Sequence, residues 1–497
     1  MGMRRDDITV EDRIQIGLAM LSPERAYGRI QELATEYKLS RESLYTIAKQ
    51  VGRVLQTGMK IGQHGPQAKV KTIKIDHSRL VRAIGQLAQS GVSQRNMVAC
   101  LEELLDTKIS LGWVNGRLSE LESASAIWNK QHNPSTGESL SGDELYANGL
   151  PNLLVVGNES LYIYNLSQEE HCDGETWATI LQDLPDHSQF ASDAGTGLAA
   201  GVKASALAIH QLDWDHLLRP LWGQYTRLEK QAYAALIALD DREQQFEQAH
   251  TEKRLRNHLA QWEKQRQELE KMMQHFDTFE QWAHQVDDCF ALVEFESGQF
   301  PDQQALITQL QRVGQQMAHW SGRIYQKLAS NLIHWAHKLF TYQTPLQEAL
   351  SPLLIRYGHT AVHALMAIWQ IESHQKRQPI AFTQHQTLQL LWEQHLDAAT
   401  QHLDEACLWE AWEAISQLLA RSWRGSMLAE CVNSLLRPRL KSRQHTDQGC
   451  LELFRFFHNL RPFQRGKRKG YSPAQLVGLD TPHDLFSLLG IPSKVSS

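Results

Sequence analysis

The chain has 497 residues, 42% of them hydrophobic and 21% charged, with a net charge of −6. This excludes a disordered polyelectrolyte and a uniformly basic nucleic-acid coat, and at roughly 100–200 residues per domain it predicts several folded units. Six scattered cysteines without a CxxC pair, an opening MGMRRDDITVEDR without an apolar core, and the absence of a membrane-length apolar run predict a reduced, soluble, cytoplasmic protein with no membrane partner.

The first 130 residues carry two helix-turn-helix patterns. In AYGRIQELATEYKLSRESLYTIAKQVGRVL, Ile30, Leu33 and Ala34 share a helical face, and the chain breaks at Lys38–Leu39. Ser40 then caps a second helix with Leu44, Ile47, Ala48 and Val51 inward. Its outer face offers Arg41, Tyr45 and Lys49 to a major groove and its phosphates. The second pattern ends a helix at Gly91, caps the next at Ser93, and caps a third at Ser110, which carries Asn115 and Arg117. Any three-helix bundle shows such breaks; two in tandem favour DNA binding.

A polar linker, QHNPSTGESLSG, leads into a segment with strand character. Strands are predicted at Asp143–Tyr146, Leu153–Val156 and Leu161–Tyr164, with turns at Asn148–Gly149 and Gly157–Asn158. DGETWATILQDL reads as a helix, HSQFAS as a fourth strand, and GLAAGVKASAL as another helix, which together indicate a single α/β or α+β layer. From about 226 to 420 no strand is expected. Leu255, Leu259, Trp262, Leu269, Met273 and Phe276 mark an amphipathic helix able to pack on a partner.

Two acids stand out by position. Asp143 lies in the first strand and Asp193 closes the fourth, and acids near strand ends can converge at one edge of a sheet. Close carboxylates repel unless a cation sits between them, and a pair of Mg²⁺ ions so held can drive in-line phosphoryl displacement. Most of the 56 acids are solvated surface groups, and a strand-end Asp is more often structural. Gly195, Gly197 and Gly201 mimic a dinucleotide fingerprint, but with GxGxxxG spacing and an Asp where phosphate would bind. The 23 histidines contain no HExxH.

DELY, DGETW, SDAGTGLAAGV, ECVNSLLRPRL and FHNLRPFQRGKRKGYSPAQLVGL together resemble DDE transposases of bacterial insertion sequences, with HNLRP and RGKRKGYSP the most specific strings. The resemblance implies a mixed fold: N-terminal all-α helix-turn-helix domains, then an α/β RNase H-like catalytic domain interrupted by a large all-α insertion. Its boundaries are 1–68 and 69–130 for the two helix-turn-helix regions, 138–225 and 420–460 for the two parts of the core, 226–419 for the insertion, and 461–497 for a basic C-terminal segment. It implies that Asp143, Asp193 and Glu430 hold two Mg²⁺ or Mn²⁺ ions. QLDWDHLL adds Asp213 and His216 in a D-x-x-H arrangement, either a phosphate-positioning pair or a structural hydrogen bond at a strand-to-helix join.

Glu452 competes with Glu430 as the third ligand, whereas Glu144 should point to the opposite sheet face from Asp143. Ten Trp residues lie between 222 and 423; family members stack such a Trp on an extruded base, and nothing in the sequence selects one. From Arg421 to Gly470, twelve Arg or Lys face three acids, a balance suited to phosphate contact. Arg437, Arg439, Lys441, Arg443, Arg461, Arg465, Lys467, Arg468 and Lys469 are the candidates there.

The implied function is transposition. The protein would bind double-stranded DNA at terminal inverted repeats, cleave it, and join the 3′-hydroxyl to target DNA in the bacterial nucleoid, as a homodimer or higher oligomer bridged by a long helix from about 226 to 276. The alternative is a non-catalytic domesticated transposase acting as a DNA-binding regulator, which a locus without flanking inverted repeats would favour.

Overall fold

The computed structural model describes residues 7–22, 28–58, 76–205, 209–248, 252–377, 382–441 and 447–492, in two compact units split after Asp76. In the first unit, α1 (Val10–Leu21) opens with a capping box between Thr9 and Asp12. It packs with α2 (Arg29–Glu36) and α3 (Arg41–Gly58) around Ile16, Met20, Leu33, Leu44, Ile47 and Ala48. Lys38 turns the chain between α2 and α3 with φ 48°, and Ser40 Oγ accepts the Ser43 N–H at 3.1 Å. The burial of every third or fourth residue of α3 leaves Arg41, Tyr45 and Lys49 exposed along one stripe.

The second unit begins with α4 (His77–Gln89), α5 (Gln94–Leu105) and α6 (Leu111–Gln131), the last two capped by Ser93 and Ser110 as their sequences predict. Although the sequence set these helices apart as a region of their own, they share a core with the sheet and the C-terminus, through Val81, Ile84, Leu118, Trp128, Phe456 and Phe486. Arg82 donates to both oxygens of Asp484 at 2.6 Å, tying the first helix of the unit to its last turn.

One five-stranded mixed sheet follows: β1 (Leu140–Ala147), β2 (Leu150–Gly157), β3 (Ile163–Gln168), β4 (Phe190–Ser192) and β5 (His210–Leu212), ordered β3-β2-β1-β4-β5. The first three form an antiparallel meander, and β4 and β5 run parallel to β1. Asn148 and Gly149 both take positive φ (53° and 83°), the mirror-image turn that matches strand twist. The third strand begins two residues later than expected, because Leu161 at φ 61° belongs to the preceding turn. The sequence reading did not include β5.

Between strands lie α7 (Gly174–Gln182) and α8 (Thr196–Ala204). Their close packing explains the glycines that mimic a nucleotide fingerprint. A Cβ on Gly197 would fall 1.8 Å from the Cys172 carbonyl oxygen, and one on Gly201 would fall 2.4 Å from the Trp177 Cβ. Gly197→Ala is therefore expected to cost about 1–3 kcal/mol, the usual penalty of forced overpacking, seen as a lower urea midpoint.

All described residues from 215 to 420 outside loops are helical: α9 (Asp215–Glu247), α10 (Glu252–Asp288), α11 (Gln303–Met317), α12 (Arg323–Leu339), α13 (Gln343–Tyr357), α14 (His359–Arg377), α15 (Phe382–Thr400) and α16 (Glu405–Ala420). Instead of one long helix over 226–276, α9 and α10 form an antiparallel pair, with Tyr225 bonded to Glu280 and Trp262 to Glu243. Doubling back lets both helices bury one face, as a lone helix could not. The block closes the edge of β5: Thr341 Oγ1 donates to the His210 carbonyl at 2.9 Å, and Trp214 Nε1 to that of Leu339 at 2.7 Å.

The chain then returns to the sheet through α17 (Met427–Lys441) and α18 (Gln448–Leu460), with a short α19 (Pro473–Leu476) beyond. The other sheet edge, β3, is closed by α18. Asn459 pairs with both the N–H and the carbonyl of Ile163, Arg455 Nε donates to that carbonyl, and His458 Nε2 lies 2.9 Å from the Leu161 carbonyl. The FRFFHN string is thus in part an edge-strand partner.

Candidate active site

The sheet register explains how distant acids meet. Leu140 and Ser141 of β1 stand opposite Phe190 and Ala191 of β4, and Ser192 stands opposite Leu212 of β5. Continued past the paired residues, that register sets Asp143, in the middle of β1, in line with Asp193 and Asp213, which follow the ends of β4 and β5. Strand alternation then decides the face. Leu140 and Gly142 turn to α7 and α8, while Leu145 joins Ala429, Val432 and Leu436 of α17. Asp143 shares parity with Leu145, so it faces α17.

The contact with α17 is direct. Asn433, fully buried, donates from Nδ2 to Asp143 Oδ2 at 2.7 Å, and the Glu144 N–H donates to Oδ1 at 2.8 Å. Glu430 is three residues before Asn433, so one turn of helix carries both side chains to this site. Burial pushes the Asp143 carboxyl up to about 6 despite these hydrogen bonds, and the charges of Asp193 and Glu430 push it the same way. Asp193 and Glu430 therefore both lie near enough to act on Asp143. Among the described residues, no three His, Cys, Asp or Glu side chains stand close enough to cage an ion unaided.

Asp193 is half-buried and turns back on its own loop, accepting the Gly195 N–H at 2.9 Å. Glu430 is partly exposed, and its Oε2 lies 3.7 Å from Arg219 of α9. Glu144 faces the other way, as expected, with its Oε1 accepting from Trp177 Nε1 at 2.9 Å. Glu452 is occupied in the α6–α18 interface by Asn129 and Gln448 and is absent from the charges that act on Asp143.

Asp213 closes β5 and opens α9. Its Oδ1 accepts the Asp215 N–H at 2.8 Å; its Oδ2 accepts the Ser426 N–H at 2.9 Å and hydroxyl at 2.7 Å. Burial opposes its charge, but these bonds and His216 hold its carboxyl below the usual range. His216 Nδ1 lies 3.5 Å from Asp213 Oδ2. Asp213 foremost, then Asp193 and Glu430, raise the His216 pKa, so the imidazolium is favoured beside the carboxylates. Of the two readings of the D-x-x-H pair, the bonds of Asp213 carry the structural one, a tie between the strand-to-helix join and the start of α17, with His216 alongside.

The basic candidates divide. Arg437, Lys441, Arg461, Arg465, Lys467 and Lys469 are exposed, with Arg461 also bonded to Gln86. Arg439 and Arg468 turn inward: Arg439 Nε donates to the Gln89 carbonyl at 2.8 Å, and Arg468 donates to the carbonyls of Asn158 and Glu159. Both stabilise backbone rather than presenting a free charge. Asn115 is exposed but bonded to Gln94, and Arg117 pairs with Glu120 at 2.6 Å. Arg443 lies outside the described residues. Arg219, Ser426 and Asn433 had no role assigned from sequence; only the position of Asn433 one turn after Glu430 carried a signal. No protein-family model matches the chain, and no curated protein matches it.

The crowding of Asp143 has a measurable consequence. A carboxyl whose folded pKa is raised destabilises the native state once pH exceeds its unfolded value, so this penalty grows as pH rises from about 4 to 6 and is complete above. Asp143→Asn is expected to raise Tm by about 2–4 °C at pH 8 in EDTA, and to lose that advantage below pH 4. A scan of Tm against pH for both proteins measures it.

Proposed function

We propose that the chain is a DDE-type transposase, with Asp143, Asp193 and Glu430 as its catalytic carboxylates. The observation that carries this reading is the convergence of Asp143 and Asp193, in register on parallel strands, with Glu430 brought across by a helix that follows a block of some two hundred residues. A three-strand meander extended by two parallel strands, with one acid in the middle of β1 and another just past β4, supports an RNase H-like core, and the helical block is then its insertion.

The donor set suits hard divalent ions: Asp143, whose charge Asp193 and Glu430 both oppose, beside the Asn433 Oδ1, which is buried without a hydrogen-bond partner. Bound there, Mg²⁺ or Mn²⁺ supplies charge neutralisation and activation of the attacking oxygen. The chain's own residues do the rest. Asn433 fixes one oxygen of Asp143, Arg219 screens Glu430, and His216 offers a ring N–H to a phosphate oxygen while Asp213 stands beside its ring. The exposed cations of α17 and of residues 461–469 suit the DNA backbone, and the Arg41, Tyr45 and Lys49 stripe suits a groove.

Two element ends require two active sites, so we assign a dimer. The surface offered is the α9–α10 pair, where Tyr233, Leu236 and Ile237 are 63%, 51% and 60% exposed. No helix among the described residues is long and apolar enough to cross a membrane. The deciding experiment incubates the full chain with duplexes carrying the DNA that flanks its gene, in Mg²⁺ or EDTA. Mg²⁺-dependent cleavage leaving a 3′-hydroxyl at a fixed position supports the reading; none in the wild-type chain overturns it.

A further inference from the structure

The helical block contains an open cleft of about 770 Å³ between α9, α10 and the start of α12, its α9 wall lying C-terminal to Arg219 on the same helix. Four cations line it: Arg227 from α9, Lys271 from α10, and Arg323 and Lys327 from α12. One acid opposes them, Glu268, at 4.0 Å from Lys271. The floor is polar but already satisfied, since Gln224 donates to the Tyr325 hydroxyl and that hydroxyl lies 2.9 Å from His275 Nε2. Burial lowers the His275 pKa, which disfavours a charge on the floor. Gly322 precedes α12 without any side-chain cap, which leaves the first N–H groups of that helix unpaired by a cap at the cleft wall.

Four cations around one cavity repel one another and offer no carboxylate set for a metal. Such an arrangement is stabilised by a polyanion that spans them. The cleft is open, and its cations come from three helices, which suits a running backbone better than a single enclosed phosphate. We infer that this cleft is a second DNA-binding site, which holds a stretch of phosphodiester backbone through Arg227, Lys271, Arg323 and Lys327. None of its lining residues is one of the carboxylates or of the basic residues of 421–470.

The test measures DNA binding by the full chain in EDTA, so it is independent of cleavage. Labelled duplex and single-stranded DNA are titrated at salt between about 0.05 and 0.2 M. Arg227→Gln/Lys327→Gln is compared with Arg356→Gln/Lys376→Gln, which removes the same charge from exposed pairs elsewhere in the block. Loss of two phosphate contacts should reduce the salt slope by about 1.8 for duplex or about 1.4 for single strands, with affinity down about tenfold. A slope equal to wild type, or an equal loss in the control, overturns the inference. So does ATP binding that depends on Arg227 and Lys327 while the DNA slope does not. Failure of the carboxylate variants to block cleavage would instead sink the proposed reaction and leave this site standing.

Discussion

Asp193→Ala and Glu430→Gln, made separately in the full chain, are expected to reduce Mg²⁺-dependent strand cleavage about a thousandfold or more. Divalent-ion catalysis contributes several kcal/mol to phosphoryl transfer, and three decades of rate correspond to about 4 kcal/mol. Each carboxylate is partly solvated, and neither anchors the core: Asp193 bonds its own loop and Glu430 touches an exposed Arg219. Both variants should therefore keep the wild-type circular dichroism and bind DNA normally in EDTA. Glu452→Gln, within the α6–α18 interface, should cleave within a fewfold of wild type. If Asp193→Ala or Glu430→Gln retained cleavage within tenfold, the assignment of the carboxylates would be wrong.

What the sequence revealed, and what it hid, follows from the range of the interactions concerned. LLVV specifies a strand as a short apolar run between turns, buried on both faces, and Asn-Gly specifies the turn before it through its positive φ. β5 is three residues long, buried on all sides, and defined by its register with β4 rather than by any pattern of its own. The split between α9 and α10 was hidden because Gln and Glu run through it without a breaker. Charge counting found the basic segment but could not separate Lys467, which is exposed, from Arg468, whose guanidinium is spent on two carbonyls. At the candidate site, Asp143, Asp193 and Glu430 were legible as acids within specific strings. Asn433 was marked only by its place one turn after Glu430, and Ser426 by nothing, since their roles exist only once α17 lies across the sheet.

Asp213 is where fold and proposed chemistry depend on the same atoms. Asp213→Ala is expected to cost about 3–5 kcal/mol of stability, because it strands buried donors that a charged acceptor had satisfied. The Ser426 N–H and hydroxyl and the Asp215 N–H would lose their partner together, freeing the start of α17 from the end of β5. Asp213→Asn should recover little, since both oxygens accept backbone N–H groups and an amide must turn its own N–H₂ toward one of them. Nor can the neighbouring chain close the gap: a Cβ on Gly425 would lie 2.5 Å from Asp213 Oδ1, so the loop already stands against the carboxylate. The pH dependence has two limbs. Asp213, held below 3.8, contributes fully above that value and loses its contribution as pH falls through its lowered folded pKa. His216, raised above 6.5, contributes below that value and loses its contribution as pH rises through its raised folded pKa. Urea midpoints at several pH values, with hydrogen exchange of α17 amides as the local probe, measure both limbs. His216→Asn separates the roles: it should weaken the acid limb without removing it, keep α17 protection through the Ser426 and Asp215 bonds, abolish the alkaline limb, and slow cleavage by about tenfold to a hundredfold through loss of one phosphate donor. Wild-type α17 protection in Asp213→Asn would show that the join is held by packing of Ala429 and Val432 instead, and that the carboxylate is not its lock.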